Sequence, residues 1–288
     1  MTLADVKREL SDRYMTWQLQ RKLGALVRVP GDALGRLTGS RLTGKQGRME
    51  PPRYKSYAYG DHFTAIGNEF LRHFVELGRL TPDDRVLDVG CGIGRMAVPL
   101  TQYLSPMGEY WGFDIVDDGI DWCKRNISPE YGNFHFDLVD VKNGSYRRQG
   151  QQPASTYRFP YPDGFFDFAY ACSVFTHMLT SDMANYLSEM SRVLKPGSRC
   201  LATFFLLNSE SRALAGSGLS ALKLVETGSG YQTVSRREPE RALAFEEESI
   251  RQIYDQSGLY VVDPIYYGTW CGRASGRSGQ DIVVAVRV

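Results

Sequence analysis

The sequence predicts an α/β fold, a doubly wound and mostly parallel seven-stranded sheet with a final antiparallel strand. Three observations predict it. Residues 86–95, Val-Leu-Asp-Val-Gly-Cys-Gly-Ile-Gly-Arg, read as a buried strand running into a glycine-paved turn and then a helix. Downstream, apolar strand-like runs alternate with amphipathic helical ones, the pattern of a parallel sheet covered on both faces. The chain has 288 residues, 42% of them hydrophobic, enough for one generous domain whose core needs neither metal nor disulfide.

The elements follow in order. Leu3, Val6, Leu10, Tyr14, Trp17 and Leu23 recur at helical spacing over residues 3–28, so an amphipathic helix ends before Pro30. A glycine-rich basic stretch follows, and residues 1–59 form an N-terminal arm ahead of a domain spanning 60–288. Phe63 to Leu80 reads as the helix leading into the fold, and Thr81-Pro82-Asp83-Asp84 as the turn before the first strand. Further strands are expected at 110–114, 133–138, 165–173 and 200–207, the last preceded by a helix-end turn at Glu189–Gly197. Two insertions interrupt this scheme. One, near 142–161, is a polar loop with Tyr146, Arg147 and Arg148. The other, near 208–243, is read as a lid containing a helix-like run over Leu214–Val225. A helix from Phe245 to Gln256 and two strands, Tyr260–Tyr267 and Ile282–Val288, complete the chain.

The glycine turn selects among nucleotides. Gly90, Gly92 and Gly94 lack Cβ atoms, so the backbone can take φ > 0 and approach a ligand closely, while the next helix offers unpaired N–H groups. A dinucleotide fingerprint fails because Arg95 stands where its third small residue belongs, and no Gly-Lys-Ser/Thr follows for a phosphate loop. The pattern Asp-x-Gly-x-Gly-x-Gly, Asp88 to Gly94, resembles the class I S-adenosylmethionine-dependent methyltransferases. The later strands and the 189–197 turn stand in the order of that Rossmann-like family over roughly residues 60–207, and the closing pair of strands resembles its final antiparallel hairpin.

The resemblance implies S-adenosyl-L-methionine as cofactor, held by Asp88, Gly90, Cys91, Gly92, Gly94 and Arg95, with Asp114 and Ile115 at the second strand's end. Asp114 would accept both ribose hydroxyls. Asp140 and Val141 would hold the adenine, with Asp137 as the rival by register, and Cys172 closes the site at the fourth strand's end. Arg95 either meets the cofactor's carboxylate or makes an ordinary surface ion pair. The thiols of Cys91 and Cys172 read as small buried groups rather than nucleophiles. Methyl transfer to a hydroxyl also needs a proton acceptor, and His177, just past the fourth strand, is placed to serve. The competing reading has it cap or pack the turn. No His/Asp/Glu cluster has metal-ligand spacing, so no metal is expected.

Composition narrows the partners. Between Arg21 and Lys55 nine basic residues face two acidic ones, while the whole chain carries only +1, so a basic arm precedes a mildly acidic body. The arm reads as a solvated extension or as an anchor for anionic membrane or glycan. Nucleic acid is not expected, since the arm lacks interleaved aromatics. Five cysteines without paired spacing and an N-terminus without an apolar signal core indicate a cytoplasmic, or membrane-peripheral, protein. The expected function is O-methylation of a small molecule or glycan. The alternatives are N- or C-methylation of an amine or lipid, and a non-catalytic S-adenosylmethionine-binding partner protein.

Overall fold

A computed structural model describes residues 49–51, 62–226 and 230–288. The expected helix over 3–28 and nearly all of the basic arm lie outside the described residues. At the arm's end Met49 is buried in the core, and the Thr64 hydroxyl donates to the Glu50 carboxylate.

The order of elements is α1 (Phe63–Glu76), β1 (Arg85–Val89), α2 (Ala97–Leu100), β2 (Glu109–Asp114), α3 (Asp117–Asn126), β3 (Phe134–Leu138), β4 (Val141–Lys142), β5 (Gln152–Pro153), β6 (Phe166–Ala171), α4 (Thr180–Val193) and β7 (Leu194–Phe204). Then come β8 (Leu206–Leu207), α5 (Ser209–Gly216), β9 (Val225–Glu226), β10 (Tyr231–Thr233), β11 (Leu243–Glu246), α6 (Glu247–Gln256), β12 (Leu259–Val261) and β13 (Asp281–Arg287). The seven-stranded sheet runs β12-β13-β7-β6-β1-β2-β3. Its strands are parallel except β13, which is antiparallel to both neighbours. The predicted doubly wound architecture is therefore the observed one.

Strand alternation builds two cores. Leu87, Val89 and Phe113 face one layer with α4 and α6, whereas Val86, Tyr110 and Phe134 face the other with α1 and α3. On α1, Phe63, Gly67, Phe70 and Phe74 repeat at helical spacing and are buried. Gly67 is required there, because a Cβ would fall 2.6 Å from the Arg95 carbonyl. Phe74 stacks on Tyr170 at 4.2 Å, a contact contributing about 0.5–1.5 kcal/mol beyond its buried area.

Several boundaries differ from expectation. The helix of the second insertion is Ser209–Gly216 rather than Leu214–Val225, because Asn208 and Ser211 form a capping box that starts it early. Leu222 and Leu224 instead pack in a small cluster with Leu207, Ala244 and Trp270. Phe245 and Glu246 belong to β11, which pairs with β8 and β10, so the following helix starts at Glu247. The second insertion thus contributes β9 and β10 to a four-stranded sheet, β8-β11-β10-β9, whose other two strands border it. The expected strand 260–267 stops at Val261 and resumes only as a bridge between Tyr266 and Ile282. The fifth strand begins at Leu194, its pairing with β6 shifted between Phe166 and Phe168.

Candidate active site

The parallel strands deliver their carboxyl ends to one edge of the sheet, where ligands of such folds bind. At the end of β1 the turn takes positive φ at Gly90 (78°), Gly92 (55°) and Gly94 (77°). The N–H groups of Gly90 and Cys91 both donate to the Phe113 carbonyl, at 2.9 and 3.0 Å, tying the turn to β2. A Cβ on Gly90 would meet Val174 at 2.4 Å, and one on Gly94 would meet Cys123 and Ile127 at 2.9 Å. Gly92 differs, since its missing side chain would meet nothing within 4 Å. It is a backbone ledge facing open space, the cradle a nucleotide cofactor needs.

The acids divide into distinct roles. Asp114, at the end of β2, accepts the Gly92 N–H at 2.7 Å and the Val116 N–H at 2.8 Å, one on each oxygen. Burial pushes its carboxyl up against the lowering effect of those N–H groups. A carboxylate so held keeps acceptor capacity on both oxygens for a diol. Asp88 lies beneath the turn, where one oxygen accepts the Tyr110 hydroxyl at 2.6 Å and the Tyr170 hydroxyl at 2.9 Å. Burial raises it to about 7. Its geometry is that of a support for the turn. Arg95, buried beside it, is held within the fold rather than at the surface.

At the end of β3, Asp140 accepts from Arg147 Nε at 3.0 Å, and Arg147 Nη1 donates to the Ile115 carbonyl at 3.2 Å. An arginine of the first insertion thereby bridges the ends of β2 and β3, expected to hold the ribose and the adenine respectively. Asp137 instead accepts from the Tyr161 hydroxyl at 3.5 Å. A groove of about 590 Å³ runs along this edge past both acids, walled by Trp111, Tyr157, Tyr161 and Phe165. The Val141 side chain is in the core, leaving its backbone as the available group. The thiols of Cys91 and Cys172 are buried, and burial pushes both well up, as expected of packing residues.

Beyond β6 the chain turns sharply at Ser173, a non-glycine residue at φ 60°. Its N–H donates to Thr203 Oγ1 at 2.8 Å and its hydroxyl to Gln280 Oε1 at 3.1 Å. The short helical turn Phe175–His177 follows. His177 Nδ1 lies 3.0 Å from the Glu240 carbonyl and Nε2 lies 3.5 Å from the Tyr146 hydroxyl. A carbonyl only accepts, so the Nδ1 contact is a hydrogen bond when that nitrogen carries the proton, and Nε2 is then the basic atom. Burial raises the Glu240 carboxyl, opposed by the Gly144 N–H. Beside this site Asp281 is buried and raised to about 6, while accepting the N–H groups of Leu206, Gly268 and the Trp270 indole, each at 2.7 Å.

Sequence reasoning singled out the turn, Asp114, Asp140 and His177 as candidates, but not Arg147, Ser173 or Glu240 as their neighbours. Glu240 lies 63 residues beyond His177, and no local signal joins them.

Residues 87–202 match a family profile described as "Methyltransferase domain". The 27-O-demethylrifamycin SV methyltransferase of Amycolatopsis mediterranei is 30% identical over 156 residues, covering 54% of this chain and 50% of that protein. The ubiquinone/menaquinone biosynthesis C-methyltransferase of Cupriavidus metallidurans is 27% identical over 124 residues, covering 43% of this chain and 44% of that protein. The chain spans about half the length of these curated relatives. Among solved structures, a protein of Pyrococcus horikoshii superposes with a TM-score of 0.55 at 14% identity, covering 80% of this chain and 92% of that one, a likeness of fold.

Proposed function

Since residues 87–202 form a class I S-adenosylmethionine-dependent methyltransferase domain, we propose that the whole chain transfers the cofactor's methyl group to a hydroxyl oxygen of a small molecule or glycan. S-adenosylmethionine supplies, when bound, an electrophilic methyl on a sulfonium. The chain's own residues do the rest. The Gly92 ledge and the Asp114 carboxylate fit the nucleoside, because one leaves open space and the other keeps acceptor capacity beside it. Asp140 and the backbone near Ile115 and Val141 would border the adenine, with Arg147 across the gap.

The observation that carries the oxygen assignment is the hydrogen bond of His177 Nδ1 to the Glu240 carbonyl. It presents Nε2 as the atom that takes a hydroxyl proton while the O–CH₃ bond forms and the S–CH₃ bond breaks. The name of the Amycolatopsis relative, a 27-O-demethylrifamycin methyltransferase, supports this reading. That of the Cupriavidus relative supports a carbon acceptor, which would leave His177 with an orienting role.

The test is His177→Ala. Turnover should fall about 10²–10⁴-fold, the usual worth of a general base, with S-adenosylmethionine affinity unchanged by calorimetry. An acceptor is found by following S-adenosylhomocysteine production over glycans, lipids and small hydroxylated molecules. Most activity surviving in the variant would remove the base assignment, and a product methylated on nitrogen or carbon would remove the oxygen assignment. Cofactor binding without turnover on any acceptor would favour a non-catalytic binding protein.

A further inference from the structure

Two insertions meet over the turn that carries His177, and one side chain joins them. The Glu240 carboxylate accepts from Asn143 Nδ2 at 2.8 Å with one oxygen and from the Gly144 N–H at 2.8 Å with the other. Asn143 Nδ2 also donates to the His177 carbonyl, at 2.9 Å. The Glu240 carbonyl meets His177 Nδ1 at 3.0 Å. The fit is tight, for a Cβ on Gly144 would fall 2.2 Å from Glu240 Oε2. Asn143 is itself committed, its Oδ1 accepting the N–H groups of Ser145 and Tyr146 at 3.0 Å and so setting where Tyr146 stands. Tyr146 closes the circuit, its ring edge-on to the imidazole at 5.3 Å. A second tie between the insertions, Arg148 to Glu238, is exposed and contributes little by comparison.

We propose that Glu240 is a positioning residue, a latch that locks the two insertions over the His177 turn and fixes the imidazole with Nδ1 protonated and Nε2 turned toward the Tyr146 hydroxyl. The latch itself stands on hydrogen-bond geometry. Its consequence for turnover rests on the reading of His177 as base.

Glu240→Gln tests it with little change in size. Both groups facing the carboxylate are donors, so an amide nitrogen placed there loses one bond and opposes a donor with a donor. Gly144→Ala pushes the latch open from the other side and leaves Glu240 intact. On the full-length protein, long-range ¹H–¹⁵N spectra report the His177 tautomer, with His177→Ala identifying the signal. The wild type should show Nδ1–H, and both variants a mixture of tautomers. In both, kcat should fall about 10–100-fold, as for a misplaced catalytic group, while S-adenosylhomocysteine affinity stays within about 2-fold. An unchanged tautomer in the folded variants overturns the latch, as does an affinity loss that accounts for the whole loss of rate. If the tautomer shifts while His177→Ala remains fully active, the base reading falls and the latch stands.

Discussion

A carboxyl group held by two phenols beneath the glycine turn ties this fold's stability to pH. Burial raises Asp88 to about 7 from an ordinary 3.8. Between those values the folded chain keeps a proton that the unfolded chain has released, so stability falls as pH rises through the window and the loss is complete above about 7. Asp281, raised to about 6, acts with the same sign over a narrower window. In Asp88→Asn an amide oxygen still accepts from Tyr110 and Tyr170, and the charge is gone. The advantage of the wild type over this variant should shrink as pH goes from 4 to 7, by at most about 1.4 kcal/mol per unit. Calorimetric Tm values that keep a constant gap across the window would show that Asp88 does not hold the proton. The pattern marked Asp88 as part of the turn, but its phenol partners were not legible, since Tyr170 stands 82 residues away. Ser173 was equally silent, because a positive φ at a serine is imposed by Thr203 and Gln280 across the sheet.

At the scale of elements, the strand–turn–helix unit at β1 is the most local part of the site and was the most readable. Its three glycines serve different needs. Gly90 and Gly94 make room for packed neighbours, and Gly92 borders open space. Gly92→Val should therefore abolish S-adenosylmethionine binding in calorimetry while the far-UV circular dichroism stays close to wild type. Its stability should drop by about 1–3 kcal/mol from the branched side chain at φ 55°. Wild-type affinity in this variant would take the cofactor away from the turn. The second insertion was misread for a physical reason. The apolar run Leu214–Val225 looks helix-like, yet the helix ends at Gly216, and Leu222 and Leu224 beyond it join Leu214 in a cluster around Trp270. Apolar spacing reports burial, and here burial comes from a loop folding onto the connector before β13.

For the whole molecule, charge is unevenly distributed along the chain. Residues 21–55 hold net +7, and the rest of the chain is net acidic. Among the described residues no helix is long and apolar enough to cross a membrane. A basic segment of this density would be drawn to anionic lipid over roughly a Debye length of about 8 Å at physiological salt. Replacing Arg36, Arg41, Lys45 and Arg48 by glutamine in the full chain should reduce co-sedimentation with anionic vesicles and leave neutral vesicles unaffected. Equal partitioning of the two proteins would make the arm a solvated extension. By itself the sequence determined the doubly wound sheet and the glycine turn after β1, and singled out the acids at the ends of β2 and β3 as candidates, because strand periodicity, glycine spacing and residues just past a strand are short-range signals. Only the tertiary structure decided that Arg147 bridges the ends of β2 and β3, that Tyr110 and Tyr170 hold Asp88, and that Glu240 meets His177. Those contacts join segments far apart along the chain, and packing of the sheet and its insertions, which no local pattern encodes, brings them within hydrogen-bond reach.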